Sequence, residues 1–323
     1  MTRLAAISRG TTLLAALCAL GAGIAGCSSS PAPANADHQV TASGAAGAPP
    51  VVHIPAQQAS GGLVTKTLIA GHGPALTSAD SYAANFDIYL WHAKTHRLLY
   101  SSYQSGPQVL PVTFPSGLTG LRAAMTGQRV GSRVITVLPP KDGYGATGNP
   151  QAGVGPGDTL VWVIDVLHGF PPGASASGTH VSNGGGTLPT VTATPGAAPS
   201  ITVPSSTPPA KLRVVTLVQG AGPAIQAGQT VAVRYTGVNW RTKQVFDTDW
   251  PSPGRPVGLP TVFTLNPSRI IPAWNTGLVG VHLGSRVLLV VPPAEGYGKA
   301  GQPTAGIKGT DTLVFVVDVL AVI

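Results

Sequence analysis

The run Gly284-Ser285-Arg286-Val287-Leu288-Leu289-Val290-Val291-Pro292-Pro293-Ala294-Glu295-Gly296-Tyr297-Gly298 decides the organisation of this chain, because it is the second of two. Gly131-Ser132-Arg133-Val134, then Pro139-Pro140, then Gly143-Tyr144-Gly145, stand in the same order 153 residues earlier. Working outward, Gly148 and Pro150 match Gly301 and Pro303, Asp158-Thr159-Leu160-Val161 matches Asp311-Thr312-Leu313-Val314, and Asp165-Val166-Leu167 matches Asp318-Val319-Leu320. Toward the starts of the copies, Thr67-Leu68 and Gly73-Pro74 match Thr216-Leu217 and Gly222-Pro223 at a spacing of 149. The change of spacing falls between, where Pro251 to Pro260 enlarges a loop of the second copy. Ordered matches at fixed spacing are the mark of a tandem duplication.

Boundaries follow from composition. At 323 residues the chain is long enough for two domains. The copies fall at 62–170 and 210–323, each long enough to bury a core of its own. Residues 27–61 form an Ala/Pro/Gly/Ser stretch that reads as a disordered tether, and 171–209, rich in Gly, Ser, Thr and Pro, as a flexible linker. In the second copy, Leu212 to Val218 and Thr230 to Val238 are rich in β-branched residues. Arg286 to Val291 and Thr312 to Ile323 are apolar at nearly every position, the pattern of strands buried on both faces. One short helix is expected, with Ile271, Trp274 and Leu278 on one side, Pro272 in its first turn, and Gly277 and Gly280 as stops. Strands around one short helix make an α+β domain.

The first 26 residues read as an export signal. Arg3 and Arg9 precede the apolar Thr11 to Ile24, and Ile24-Ala25-Gly26-Cys27 resembles the lipobox of a bacterial lipoprotein. The only other cysteine, Cys18, lies within the removable segment, so Cys27 is left for lipidation and no disulfide is expected. The protein is therefore expected to be lipid-anchored at the extracytoplasmic face of a cell membrane. The net charge of +8 is scattered, without the Lys/Arg clustering that nucleic-acid binding needs. His92 and His96 sit in strand and turn sequence rather than on a helix, and no metal site is expected of them.

The second copy contains, in order, Val233-Arg234-Tyr235-Thr236-Gly237, Val245-Phe246-Asp247, Phe263-Thr264-Leu265, Ile270-Ile271-Pro272-Ala273-Trp274, Leu278-Val279-Gly280, Pro292-Pro293 with Gly296-Tyr297-Gly298, and Thr312-Leu313-Val314-Phe315. This succession resembles the FKBP-type peptidyl-prolyl isomerases from end to end of the copy. The resemblance implies two domains, each a bent antiparallel sheet wrapped around a short helix, with an apolar pocket between them. It implies Trp274 as the pocket floor and Tyr235, Phe246, Phe263, Ile270 and Phe315 as its walls. It further implies the Ile271 amide and the Tyr297 hydroxyl as holders of peptide carbonyls, and Asp247 at the rim, linked to Tyr235. Ile307 is a looser match, its loop being one residue longer than usual. The implied activity is isomerisation of X-Pro bonds in exported polypeptide clients, without cofactor or metal. A peptide-holding chaperone or a tethering lipoprotein is the rival reading. Macrolide inhibitors are the implied small-molecule ligands, although Gln302 and the Pro251–Pro260 loop alter the pocket's surroundings.

The first copy departs from this pattern. Phe86 stands for Tyr235, Leu99-Tyr100-Ser101-Ser102 for Phe246-Asp247-Thr248-Asp249, Leu121 for Trp274 and Trp162 for Phe315, while Tyr144 keeps the place of Tyr297. A copy that keeps its buried strands but loses the aromatic wall and the carboxylate is expected to fold without efficient isomerase activity.

Overall fold

The computed structural model describes residues 36–114, 117–252 and 257–323. The expected signal, Cys27 and part of the Pro251–Pro260 loop lie outside these residues. The chain divides into two compact units between Pro171 and Pro172. In the first, a small hairpin of β1 (Thr41–Ser43) and β2 (Val51–His53) precedes a six-stranded sheet. The sheet strands are β3 (Val64–Ile69), β4 (Ser81–His92), β5 (Thr95–Ser101), β6 (Gln108–Pro111), β7 (Arg133–Leu138) and β8 (Thr159–Phe170). Their order is β3-β7-β8-β4-β5, with β6 beside β4, and every pairing is antiparallel.

The second unit repeats the plan. Its hairpin is β10 (Thr190–Thr192) with β11 (Ser200–Thr202). Its sheet runs β14 (Val245–Thr248), β13 (Thr230–Asn239), β17 (Leu313–Val322), β16 (Arg286–Val291), β12 (Arg213–Gln219) and β9 (Thr179–His180), with β15 (Thr261–Thr264) beside β13. Each unit carries one described α-helix, Thr119–Met125 in the first and Pro272–Leu278 in the second. A sheet with a separate short helix is the expected α+β class.

Residues 36–61 are ordered rather than a disordered tether. Ala36, Val40 and Ile54 are buried with Trp91, Ile135, Val161 and Val163 of the sheet. The Trp91 indole donates to the Gln57 carbonyl at 2.8 Å. Nor is 171–209 a free linker: Val191 and Val203 are buried with Trp240, Leu288, Val290, Val314 and Val316, and the Trp240 indole donates to the Ser206 carbonyl. These contacts lie at the 149 spacing, so the duplicated unit begins near residue 36, not 62. The physical reason is that the face of each sheet turned away from the helix is itself apolar and must be covered. Along β17, Leu313, Phe315 and Val317 join the core that holds the helix, while Val314 and Val316 face the hairpin. This two-sided burial accounts for strands that are apolar at almost every position.

A charged pair sits at the same place in both sheets. Arg286 Nε and Nη2 meet Asp318 Oδ1 and Oδ2 at 2.5 and 2.6 Å, and the Ala176 amide donates to the same carboxylate. In the first unit Arg133 pairs with Asp165 at 2.6 and 2.7 Å, joined by the Gly47 amide and the Tyr103 hydroxyl. In both units the preceding segment is thus fastened to the sheet by a desolvated ion pair.

Two local expectations change. Gly277 lies inside the helix rather than stopping it. A Cβ there would come within 2.9 Å of Leu289 Cδ2, so the glycine permits close packing of helix on sheet. The change of spacing between the copies is also compound. Strand register matches Phe86 with Tyr235, Leu99 with Phe246 and Leu110 with Phe263. The second unit's β13–β14 hairpin is therefore shorter, and its loop before β15 is longer by more than the net difference.

Candidate functional site

The helix Pro272–Leu278 brings Trp274 into the core on the helix side of the second sheet, 5 % exposed. Pro272 at the first helical position leaves Ile271 in extended conformation before it. Around the indole stand three rings from three strands. Tyr235 of β13 lies edge-on at 5.1 Å, Phe315 of β17 edge-on at 5.4 Å, and Phe263 of β15 tilted at 5.0 Å. Phe246 of β14 stands edge-on to Phe315 at 5.5 Å. Edge-to-face contacts at these distances hold rings in fixed orientation beyond what burial alone does. Ile270, Ile271 and Ile307 are buried in the same cluster, and Tyr297 packs against it half-buried. The structure thus brings together all nine residues singled out in the sequence, and Ile307 with them.

The polar groups of the cluster are few. Tyr235 donates its hydroxyl to Asp247 Oδ2. Burial first, and then the Asp247 charge, raises the ionisation of both Tyr235 and Tyr297 above the ordinary phenol range. Both hydroxyls therefore remain protonated and able to donate. Among the described residues, neither the Ile271 amide nor the Tyr297 hydroxyl has a hydrogen-bond partner. The Trp274 indole N–H is buried and also unpaired. The site can therefore enclose an apolar group and offer donors to carbonyl oxygens. No group of three or more His, Cys, Asp or Glu able to hold a metal occurs among the described residues. His92 instead pairs with Asp158 at 2.5 Å.

Two contributors escaped the sequence reading. A Cβ on Gly237 would lie 2.6 Å from Phe246 Cζ, so the Phe246 ring rests directly on the Gly237 backbone. The signal was present, since Ile88 occupies that place in the first copy. The other is Asp249, 2 % exposed, which accepts the Tyr235 amide at 2.8 Å and the Thr261 amide at 3.1 Å.

In the first unit the matching places are filled differently. Leu121 and Trp162 stand for Trp274 and Phe315, both almost wholly buried. Trp162 stacks on Phe86 at 5.2 Å, and Tyr100 covers Phe86 at 5.5 Å from where Asp247 would be. Ile88 takes the space that Gly237 leaves to a ring.

The sequence profile described as FKBP-type peptidyl-prolyl cis-trans isomerase matches residues 78–167 and 222–320, one stretch in each unit. An FK506-binding protein of Streptomyces anulatus is 37 % identical over 124 residues, which cover 38 % of this chain and 96 % of that protein. A probable FK506-binding protein of Corynebacterium glutamicum is 32 % identical over 125 residues, 38 % of this chain and 97 % of that one. The crystal structure of FkpA from Escherichia coli aligns at 38 % identity and a TM-score of 0.30, covering 34 % of this chain and 47 % of that one.

Proposed function

Since the chain belongs to the FKBP-type peptidyl-prolyl cis-trans isomerase family, we propose that its second unit isomerises X-Pro bonds of exported polypeptides in the pocket floored by Trp274. The observation that carries this reading is the convergence of three aromatic rings from three strands on one indole, with Phe246 backing Phe315, beside an unpaired backbone amide and an unpaired phenol.

Rotation about an X-Pro bond breaks amide resonance against a barrier of roughly 18–20 kcal/mol. The twisted amide has lost conjugation and carries less charge on its oxygen, so it leaves water at lower cost than the planar amide. A dry, aromatic-walled pocket therefore binds the twisted form better than the planar one, which is what accelerates a reaction. Each ~1.36 kcal/mol of such preference is worth about tenfold in rate. In this scheme the proline ring lies on Trp274 between Tyr235, Phe263 and Phe315, while the Ile271 amide and Tyr297 hydroxyl hold neighbouring carbonyls. No nucleophile takes part. FK506-type macrolides, for which the relatives are named, compete for the same pocket.

Anchoring belongs to the same proposal. Cys27 in its lipobox context would carry acyl chains and hold both units at the extracytoplasmic membrane face. Among the described residues no helix is long and apolar enough to cross a membrane. Two measurements test the proposal. The full chain should accelerate isomerisation of a proline peptide followed by NMR exchange, and Trp274→Ala or Tyr297→Phe should slow it. Peptide binding without acceleration would point instead to a holding chaperone. Cys27→Ser should move the protein from the membrane to the soluble fraction, and unchanged partition would remove the anchor.

A further inference from the structure

At the edge of the second sheet, β13 changes partners. Thr236 is still paired with Thr248 of β14, whereas Val233 is already paired with Thr261 of β15. Arg234 and Tyr235 lie in the gap, without a strand neighbour on that side. Asp249 fills it. Its backbone amide donates to the Tyr235 carbonyl at 3.3 Å, its Oδ1 accepts the Tyr235 amide, and its Oδ2 accepts the first amide of β15. Arg234 completes the bracket from beneath, donating to the Asp249 and Gly258 carbonyls at 3.1 Å each, with its guanidinium 4.9 Å from the Trp250 ring centre. The first unit closes the same gap with a neutral group: the Phe86 amide donates to Ser102 Oγ at 2.7 Å, beside Asn85 in place of Arg234.

We propose that Asp249 is a positioning residue whose ionised carboxylate keeps the Tyr235 and Phe263 walls in register, and so makes the second pocket sensitive to acid where the first unit's equivalent is not. This rests on the isomerase reading above. Burial pushes the Asp249 carboxyl up to about 7, against the pull of the two amides and of Arg234. Among the described residues, Asp318, tied to Arg286, also acts on Arg234, and Asp247 on β14, bound to the Tyr235 hydroxyl, also acts on Tyr235. Protonation places a hydrogen on one of two oxygens that both accept amides, so one bridge between β13 and β15 is lost. The isomerisation itself moves no proton, so a titration step in its rate reports the pocket's geometry.

The test measures kcat/KM of the full chain for a proline peptide from pH 5.5 to 8.5, with wild type, Asp249→Asn and Asp249→Ser. Wild type should lose about threefold or more on the acid side of a step near 7, as small misplacements of binding groups do. Both variants should give flat profiles, Asp249→Asn at the acid-limb level and Asp249→Ser above it. A flat wild-type profile, or a step retained in both variants, overturns the proposal. Unfolding by urea over the same range gives a readout independent of catalysis. The native state holds this proton more tightly than the unfolded chain, so its stabilising effect is full below the ordinary carboxylate range and lost as pH rises to about 7. Asp249→Asn should therefore gain on wild type as pH rises through that window, and a constant difference contradicts the ionisation. If the wild type fails to accelerate isomerisation at any pH, the isomerase reading falls, and the urea series still decides the ionisation of Asp249.

Discussion

At three paired positions the two units place their bulk on opposite partners. The second has Trp274 on the helix and Phe315 on the sheet, where the first has Leu121 and Trp162. The second pairs Val231 with Phe263 across β13 and β15, where the first pairs Tyr82 with Leu110. The second has Gly237 beneath Phe246, where the first has Ile88 and Leu99. In each case the interior is filled, so both units can fold, yet the rings point to different places. In the second they converge on the indole, and Phe246, Phe263 and Tyr297 around it stay partly exposed. In the first, Phe86, Leu121 and Trp162 are almost wholly buried, and Tyr100 lies over Phe86. Volume is what a core requires, and where the volume sits is what a site requires.

What the units share should cost most when broken. Asp318→Ala and Asp165→Ala each strand a buried arginine, and each should destabilise its own unit by roughly 3–5 kcal/mol, measured by urea unfolding. A loss in one unit only would mean that the matching ion pairs are not equivalent supports. Next comes Gly237→Ile. The new side chain meets the Phe246 ring, so the second unit should lose about 1–3 kcal/mol through overpacking, together with isomerase activity. Adding Phe246→Leu, as in the first unit, should restore stability but not activity. Recovery of both would show that the Phe246 wall is dispensable. A smaller effect is expected from exchanging the central pair. Trp274→Leu with Phe315→Trp conserves volume, and kcat/KM should still fall about tenfold, equivalent to ~1.4 kcal/mol of transition-state binding. An active double variant would mean that an indole on either element serves.

The exchange at the central pair was legible before any coordinates, because both members lie in blocks repeated at constant spacing. The pocket residues were legible through the order of short motifs around them. The roles of Gly237 and Asp249 were not, since they depend on which residue lies across the sheet and that register shifts between the copies at two loops; the Gly237/Ile88 difference marked the first position without naming its partner. The covering hairpins were missed for a different reason. Their composition is that of a linker, and one or two buried aliphatic residues on a three-residue strand leave no readable period. Only the apolar outer face of the strands hinted that something must lie on it, and the 149 spacing continues through Thr41 and Thr190, Gly47 and Gly196, and Pro50 and Pro199.

The smallest expected difference lies at the start of the last strand of each sheet. In the second unit Arg241 grips Asp311 through Nε and Nη2 at 2.7 and 2.8 Å, and the Asn239 side-chain amide donates to the same carboxylate. The arginine holds the Asp311 carboxyl well below the usual range. A depressed native value means that the carboxylate's contribution is present above the unfolded chain's value of about 4 and is lost as pH falls through the native one. In the first unit His92 stands for Arg241 and meets the Asp158 carboxylate through Nδ1 alone, one contact where the guanidinium makes two. Arg241→Gln should therefore take a small part of the second unit's stability away near neutrality, small because the arginine itself is exposed and solvent screens the pair, and shift the onset of acid unfolding to higher pH. His92→Gln should leave the first unit's acid onset less affected, because it removes one contact where Arg241→Gln removes two, while the Gly155 amide, like that of Lys308 in the second unit, binds the carboxylate in either case. Equal shifts in both units would mean that the guanidinium fork adds nothing over an imidazole at this corner of the fold.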